Sequence, residues 1–203
     1  STTVAFGASA QSSARDRAAA EAMFQEATAL MDAKKYAEAC DKFAASQELD
    51  PGLGTMLYLA DCYDRAGRSA SAWALFREVE DRSRRASQPD RERIAGERAT
   101  ALEPKLSKLE VRVAPKQRIR DLELRVAGSV LPQASWSVAL PVDPGPTKIE
   151  ARAPGKRPLT LQITVTPGAT SQVIEIPALV DAPVAKKSER GSAGERPAAA
   201  PQS

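Results

Sequence analysis

An internal repeat constrains the fold of this chain more than any other feature of its sequence. Five positions recur in kind at a spacing of 33 residues. The pairs are Met23 with Met56, Ala27 with Ala60, Leu30 with Tyr63, Ala39 with Ala72, and Phe43 with Phe76. A unit that repeats at such a period cannot bury its apolar face alone, so the sequence predicts two stacked copies of one supersecondary structure.

Each copy has the apolar spacing of a helical hairpin. The first three positions of a copy are separated by four residues and then three, which places them on one face of a helix. Residues 34–35 and 67–68 fall where a turn must join this helix to a second one, and the Asp-Pro-Gly at 50–52 separates the copies. A further helix at residues 90–103, ended by Pro104, is predicted to cover the last apolar face of the array.

The period of the apolar residues changes from helical to alternating after Leu106. Short alternating segments, separated by Pro-Gly and Gly-Ser turn signals, predict strands at residues 109–113, 122–126, 148–152, 159–165 and 173–176. Closely spaced short strands are typical of a small β-sandwich. We therefore expect an α+β multidomain chain, in which α-helical hairpins at residues 16–104 are followed by an antiparallel β-sandwich at residues 105–180.

The two ends of the chain have a different composition. Ala8, Ser9 and Ala10 match the small-residue pattern at which signal peptidase cuts, so residues 1–15 are either a signal-peptide remnant or a disordered leader. Residues 181–203 are rich in Ala, Pro, Ser, Gly and charge, which predicts a disordered linker or tail. Such a linker could lead to a membrane anchor outside this sequence. The leader favours a periplasmic or other extracytoplasmic location.

The helical part resembles the tetratricopeptide repeat (TPR) family. The matching residues are Leu59, Ala60, Tyr63, Gly67, Ala72 and Phe76 in the second copy, and Tyr36, Ala39, Phe43, Leu49, Asp50 and Pro51 in the first. This resemblance implies two repeats plus a capping helix. It also implies that the first helix of each unit lines a concave surface that receives a peptide or a partner protein.

The β-rich part resembles the PEGA-type surface domain. The matching segments are Val142-Asp143-Pro144-Gly145, Ile149-Glu150-Ala151, Ala153-Pro154-Gly155 and Leu161-Gln162-Ile163-Thr164-Val165. Tetratricopeptide units followed by such a sandwich resemble myxobacterial envelope proteins, a family that implies an architecture and no established chemistry.

The tetratricopeptide resemblance assigns one candidate binding surface, which we call the predicted peptide face. It consists of Glu21, Phe24, Thr28, Leu57, Asp61, Asp64 and Arg65. The acidic Asp61 and Asp64 favour a basic or neutral ligand over a carboxylate. The alternative that these residues only solvate their helices is left open, and so is self-association into a homo-oligomer.

Cys40 and Cys62 are the two cysteines of the chain. In a tetratricopeptide stack they would lie on neighbouring helices, so a disulfide between them is predicted if the protein is exported. Two buried free thiols are the alternative, since cysteine is among the most buried residue types.

Composition excludes most catalytic chemistry. The chain contains no histidine, the usual general base at neutral pH and the commonest zinc ligand. We therefore expect no enzyme activity, metal or cofactor. The net charge of +3 arises from mixed acidic and basic residues, which gives no indication of nucleic-acid binding.

Two functions are favoured over a hydrolase or transferase, which is the third alternative. The first is a non-catalytic protein-protein interaction or scaffold module of the bacterial cell envelope. The second is binding of envelope polysaccharide or peptidoglycan by the sandwich, with the helices serving oligomerisation. The second function needs an exposed ring on which a sugar could stack, and Trp136 is the one candidate in the sandwich.

Overall fold

The N-terminal half of the chain is helical, as the repeat predicts. A computed structural model describes residues 13–183; the Ala8-Ser9-Ala10 pattern and the segment after Pro183 lie outside this part of the chain. The helices are α1 (Ala14–Asp32), α2 (Tyr36–Leu49), α3 (Leu53–Arg65), α4 (Ser69–Arg85) and α5 (Pro89–Leu102). Helix α1 begins within the predicted leader, because Ser13 and Asp16 form a reciprocal capping box that stabilises its first turn.

The same backbone turn ends three of the helices. Lys34, Gly67 and Ser87 have positive φ angles of 59°, 75° and 54°. After α1, the Lys35 amide donates to the Leu30 carbonyl oxygen at 2.9 Å and the Lys34 amide donates to the Met31 carbonyl oxygen at 3.0 Å, and equivalent pairs follow α3 and α4. These are Schellman motifs, which satisfy carbonyl groups at a helix end. The predicted breaks at 34–35 and 67–68 are confirmed.

Three of the five repeated pairs of positions are core residues in both copies. Ala27 and Ala60, Ala39 and Ala72, and Phe43 and Phe76 are buried in both copies. One apolar cluster surrounds Phe43 between α1, α2 and α3, and a second surrounds Phe76 between α3, α4 and α5. Helix α5 contributes Ala95, Ala99 and Leu102 to the second cluster, so it covers the apolar face of α4.

The C-terminal half forms two sheets that enclose one apolar core. The strands are β1 (Lys108–Arg112), β2 (Glu123–Val126), β3 (Ser129–Leu131), β4 (Ala139–Pro141), β5 (Gly145–Arg152), β6 (Leu159–Val165) and β7 (Ser171–Glu175). Their order is β4-β1-β7 in one sheet and β3-β2-β5-β6 in the other. Alternate residues such as Leu109, Leu124 and Ile149 point into the core between the sheets. The predicted α+β architecture is confirmed.

Two details of the sandwich differ from the sequence-based expectation. Strand β1 pairs with β7 in parallel, so the smaller sheet is mixed, whereas the four-stranded sheet is antiparallel as predicted. The parallel pair arises because the chain crosses from one sheet to the other after β6 and places β7 beside β1. Strands β3 and β4, with three residues each, are too short to show an alternating pattern.

The expectation that Trp136 presents an exposed ring is wrong. The residue is 8% exposed and belongs to the sandwich core. Its Nε1 donates a hydrogen bond to the Leu131 carbonyl oxygen at 3.2 Å, which satisfies the polar end of the indole inside the domain. A sugar therefore has no access to this ring for stacking.

The helical and β-rich parts meet at the N-terminus of α4. Asp143, in the loop before β5, accepts hydrogen bonds from the Ser71 amide at 2.9 Å and from the Ser71 hydroxyl at 2.5 Å. Arg68 Nε lies 3.4 Å from the same carboxylate. The N-cap residue of α4, Arg68, provides no side-chain cap of its own. A carboxylate of the β-rich part thus caps a helix of the other part.

Candidate functional site

The predicted peptide face is divided between α1 and α3. Phe24 of α1 packs edge-to-face against the buried Phe43, with ring centroids 5.3 Å apart, and against Tyr58 of α3 at 5.0 Å. Tyr58 also lies 5.9 Å from Phe43, so the three rings form one cluster. The hydroxyl of Thr28 donates to the Phe24 carbonyl oxygen at 3.0 Å, so this hydrogen bond lies within α1 itself.

A groove of about 240 Å³ runs beside this aromatic cluster. It lies between α1, the end of α2 and the first turns of α3. Its walls are formed by Phe24, Thr55 and Tyr58 and by the charged residues Arg17, Glu21 and Asp50, among others. The structure therefore brings two residues of the predicted peptide face, Glu21 and Phe24, to one groove.

Tyr58 lines this groove but was not assigned to the predicted peptide face. The residue is 50% exposed, although its ring packs against two other aromatic rings. The repeat pattern did not identify it because it occupies neither a core position nor a position assigned to the predicted peptide face. A sequence signal for it was present. Other residues occupy the buried positions of α3, so the tyrosine that follows Leu57 has to lie at the surface of the helix.

Asp61 and Arg65 lie in a different environment on the same helix. Arg65 Nε is 2.8 Å from one carboxylate oxygen of Asp61, and Arg98 of α5 pairs with the other. The hydrogen bond and charge of Asp61 raise the pKa of the Arg65 guanidinium above its ordinary value. Both oxygens of Asp61 are therefore engaged within the protein. This geometry leaves Asp61 little capacity to recognise a basic ligand.

The remaining members of the predicted peptide face contribute less to a surface. Leu57 is half-buried and packs against the cluster around Phe76. Asp64 is partly exposed, and its backbone carbonyl oxygen accepts the Gly67 amide in the turn before α4. The groove beside Phe24 and Tyr58 is consequently the more promising part of the face.

Cys40 and Cys62 form a disulfide, as predicted. The bond joins α2 to α3 across a Cα-Cα distance of 5.5 Å, and both residues are buried. It holds together the two helices that carry Phe43 and Tyr58. The disulfide therefore ties α2, which contributes Ser46 to the groove, to α3, which contributes Tyr58.

Residues 13–183 offer no group of three or more acidic or cysteine side chains arranged to hold a metal ion. Within the same range, no helix has the length and apolar character needed to cross a bilayer. Comparison of the chain with protein-family models and with curated proteins finds no match. The tetratricopeptide and PEGA resemblances stay predictions that depend on the residues quoted above.

Proposed function

We propose that the protein is a non-catalytic scaffold module of the bacterial cell envelope, and that its helical part binds a segment of a partner protein in the groove between α1 and α3. The observation that carries this proposal is the half-exposed Tyr58 ring, held against Phe24 at the edge of that groove. An aromatic side chain that is packed on one side and open on the other has little conformational entropy to lose on binding. Such residues dominate binding energy at protein interfaces.

The chemistry of the groove indicates the type of partner. Its aromatic wall of Phe24 and Tyr58 favours an apolar anchor residue. The charged lining residues Arg17, Glu21 and Asp50 have both signs, so they do not select a strongly charged ligand. Glu21 also accepts a hydrogen bond from Gln25 Nε2 at 2.9 Å. Asp61, the acidic residue expected to select a basic ligand, is neutralised by two arginines. We therefore propose that the partner segment has an apolar side chain at its centre and is not strongly basic.

An extracytoplasmic location is part of the proposal. A structural disulfide is characteristic of oxidising compartments such as the periplasm and is rare in the cytosol. The buried Cys40–Cys62 bond supports this location, together with the small-residue pattern near the N-terminus. The absence of histidine from the sequence supports a binding role without covalent chemistry.

Quantitative affinity capture tests the proposal. The wild-type chain and a Tyr58→Ala variant are immobilised and exposed to envelope extract of the source organism, and the Kd of each retained protein is then measured by titration. Loss of a packed aromatic anchor typically costs about 2 kcal/mol or more, which corresponds to roughly a thirtyfold weaker Kd. Val180→Ala, at another exposed apolar residue, is the matched control. Equal affinity of the Tyr58→Ala variant and the wild type for every retained protein would contradict the proposal.

A further inference from the structure

One end of the sandwich lies away from the helical part. Strand β1 enters the sandwich at Lys108, soon after α5, and reaches this end at Arg112. Strand β7 runs parallel to β1, so the chain after Glu175 also leaves there. The Arg157 amide donates to the Val180 carbonyl oxygen at 2.8 Å, which joins this last segment to the turn before β6. Three segments therefore meet at this end, which we call the basic tip: residues 113–122, 153–158 and 176–183.

The basic tip has an excess of positive charge. Its net charge of +3 equals that of the whole chain, so the remainder of the chain has no net charge. Five cations stand against two carboxylates in the three segments: Lys116, Arg118, Arg120, Lys156 and Arg157 against Asp121 and Asp181. The tip is therefore the place where the charge of this protein is concentrated.

Three of these cations have no carboxylate partner among the described residues. Lys116 and Arg157 are exposed and take part in no ion pair there, and the exposed Arg118 uses only its Nε, which donates to the Val113 carbonyl oxygen at 3.3 Å. The arginines near the end of α4, in contrast, all pair with carboxylates of α4 or α5. The charge of the tip is consequently available to an external anion.

Exposed apolar residues lie among these cations. Val180 is 65% exposed, the highest fraction among the exposed large apolar residues of the described chain. Pro115 and Pro177 are exposed as well. The three segments contain no aromatic residue, so the tip offers no ring on which a nucleobase or a sugar could stack. Its surface combines cations with small aliphatic groups.

From this combination we infer that the protein docks by its basic tip on the surface of a bilayer that contains anionic phospholipids. The phosphate groups of the lipids attract the unpaired cations, and Val180 enters the boundary between headgroups and acyl chains. A soluble polyanion would satisfy the cations but would leave Val180 in water, whereas a lipid surface accommodates both. The tip is separate from the groove between α1 and α3, so this inference goes beyond the proposed function.

The sequence after the described residues extends the positive charge. Lys186 and Lys187 follow Pro183 by three and four residues. Four residues of chain span at most about 14 Å, so both lysines stay within that distance of the tip. Clusters of basic residues at a membrane surface bind anionic lipids through their summed charge. These two lysines therefore add to the same surface.

The number of unpaired cations sets the size of the expected effect. Each cation held near an anionic bilayer strengthens binding about fivefold. The three unpaired cations of the tip therefore contribute roughly a hundredfold together. Because screening by salt acts over about 10 Å at 0.1 M ionic strength, this contribution should fall steeply as the salt concentration rises.

Co-sedimentation of the full chain with lipid vesicles tests the inference. The wild type should bind vesicles with about 40% phosphatidylglycerol at least a hundredfold more tightly than vesicles of phosphatidylcholine alone. A triple variant of the tip should lose roughly a hundredfold in affinity for the anionic vesicles. A control variant loses the same charge from three exposed lysines outside the tip and should bind like the wild type. The tip variant is Lys116→Gln, Arg118→Gln, Arg157→Gln, and the control is Lys34→Gln, Lys105→Gln, Lys108→Gln.

Two results of this experiment overturn the inference. The first is equal binding of the wild type to both kinds of vesicle, or binding to neither. The second is an equal loss of affinity in the two triple variants, because it would show that only the total charge matters and not its position at the tip.

Soluble polyanions distinguish a lipid surface from an acidic protein or a nucleic acid. A DNA duplex and polyglutamate are titrated at the same ionic strength and the same concentration of negative charge as the vesicles. The wild type should bind the vesicles most tightly, and Val180→Gln should weaken binding to the vesicles alone. Equal affinity for the vesicles and either polymer, or no effect of Val180→Gln on vesicle binding, overturns the inference.

A fluorescent label at the tip provides a test by gain of signal. The two native cysteines form the disulfide, so a single introduced cysteine is the one site for a thiol-reactive, environment-sensitive fluorophore. Emission from a label on Val180→Cys should shift to shorter wavelength when anionic vesicles are added. A label on Val130→Cys, at a valine of β3 that is 52% exposed, should show no shift. No shift at position 180, or equal shifts at both positions, overturns the inference.

Discussion

The contact between Asp143 and the N-terminus of α4 gives a prediction whose size follows from the structure. Ser71 is the third residue of α4, and its amide is one of the groups that the helix itself leaves unsatisfied. Asp143, 72 residues away in the sequence, accepts this amide and also the Ser71 hydroxyl. The carboxylate therefore replaces the missing N-cap and joins the two parts of the chain.

Replacing Asp143 with alanine removes both hydrogen bonds. Loss of an N-cap costs typically about 1 kcal/mol, and a hydrogen bond to a charged group contributes about 1.5 to 3 kcal/mol. The carboxylate is partly exposed, so solvent screens some of this energy, and the 3.4 Å contact with Arg68 adds little. We expect the free energy of unfolding to fall by about 2 kcal/mol. Ser71→Ala keeps the amide and should cost about 1 kcal/mol.

Urea unfolding, followed by circular dichroism and tryptophan fluorescence, measures both effects. Because the two side chains share one interaction, the double variant should be less destabilised than the sum of the single variants, by about 1 kcal/mol. Asp81→Ala on the same helix, which removes a surface ion pair with Arg85, is the control and should change stability by less than about 0.5 kcal/mol. The reasoning is refuted if Asp143→Ala behaves like this control, or if the Ser71 and Asp143 effects are additive.

Three further predictions concern the helical part. Replacing Cys40 and Cys62 with serine should lower the free energy of unfolding by about 3 kcal/mol in urea titrations, because the bond closes a loop with a sequence separation of 22. The unreduced wild-type protein should also resist alkylation even when it is unfolded. Free reaction of both thiols would show that the bond is absent. The capping-box hydrogen bonds from Ser13 lower the pKa of Asp16, so Ser13→Ala should raise that pKa in an NMR titration, and an unchanged pKa would contradict this assignment. The stabilisation from the cap is present above the unfolded-state pKa of Asp16 and is lost as pH falls through its folded-state pKa. Gly67→Ala should destabilise the protein by about 1 kcal/mol in the same urea assay, since its φ of 75° strains an alanine, and an unchanged unfolding midpoint would exclude that strain.

The sequence predicted the helical part well because its signals are local. Spacings of three and four residues identify a buried face, and small residues at Ala27, Ala39, Ala60 and Ala72 allow the helices to pack closely. Every one of these alanines is fully buried. The turns were equally visible, since residues 34–35 and 67–68 interrupt the helical pattern at the same place in each copy.

The features that the sequence did not predict depend on contacts between distant residues. The alternation of β1 and β7 identifies two strands but does not show that they pair, still less in parallel. The pairing of Asp61 with Arg98 is likewise a contact across 37 residues, and it changes the character of the predicted peptide face. Trp136 was misassigned because the three-residue strands β3 and β4, which flank it, have no visible pattern.

The central claim is that a partner segment lies against Tyr58 in the groove between α1 and α3. Its most direct test is photo-crosslinking in the intact cell envelope, with a photoreactive phenylalanine analogue at position 58 or, as a control, at Ile94, which is 40% exposed on α5. The account predicts a discrete crosslinked protein from position 58 that is absent from position 94 and is diminished by Phe24→Ala. No crosslink at position 58, or the same products from both positions, would contradict the claim.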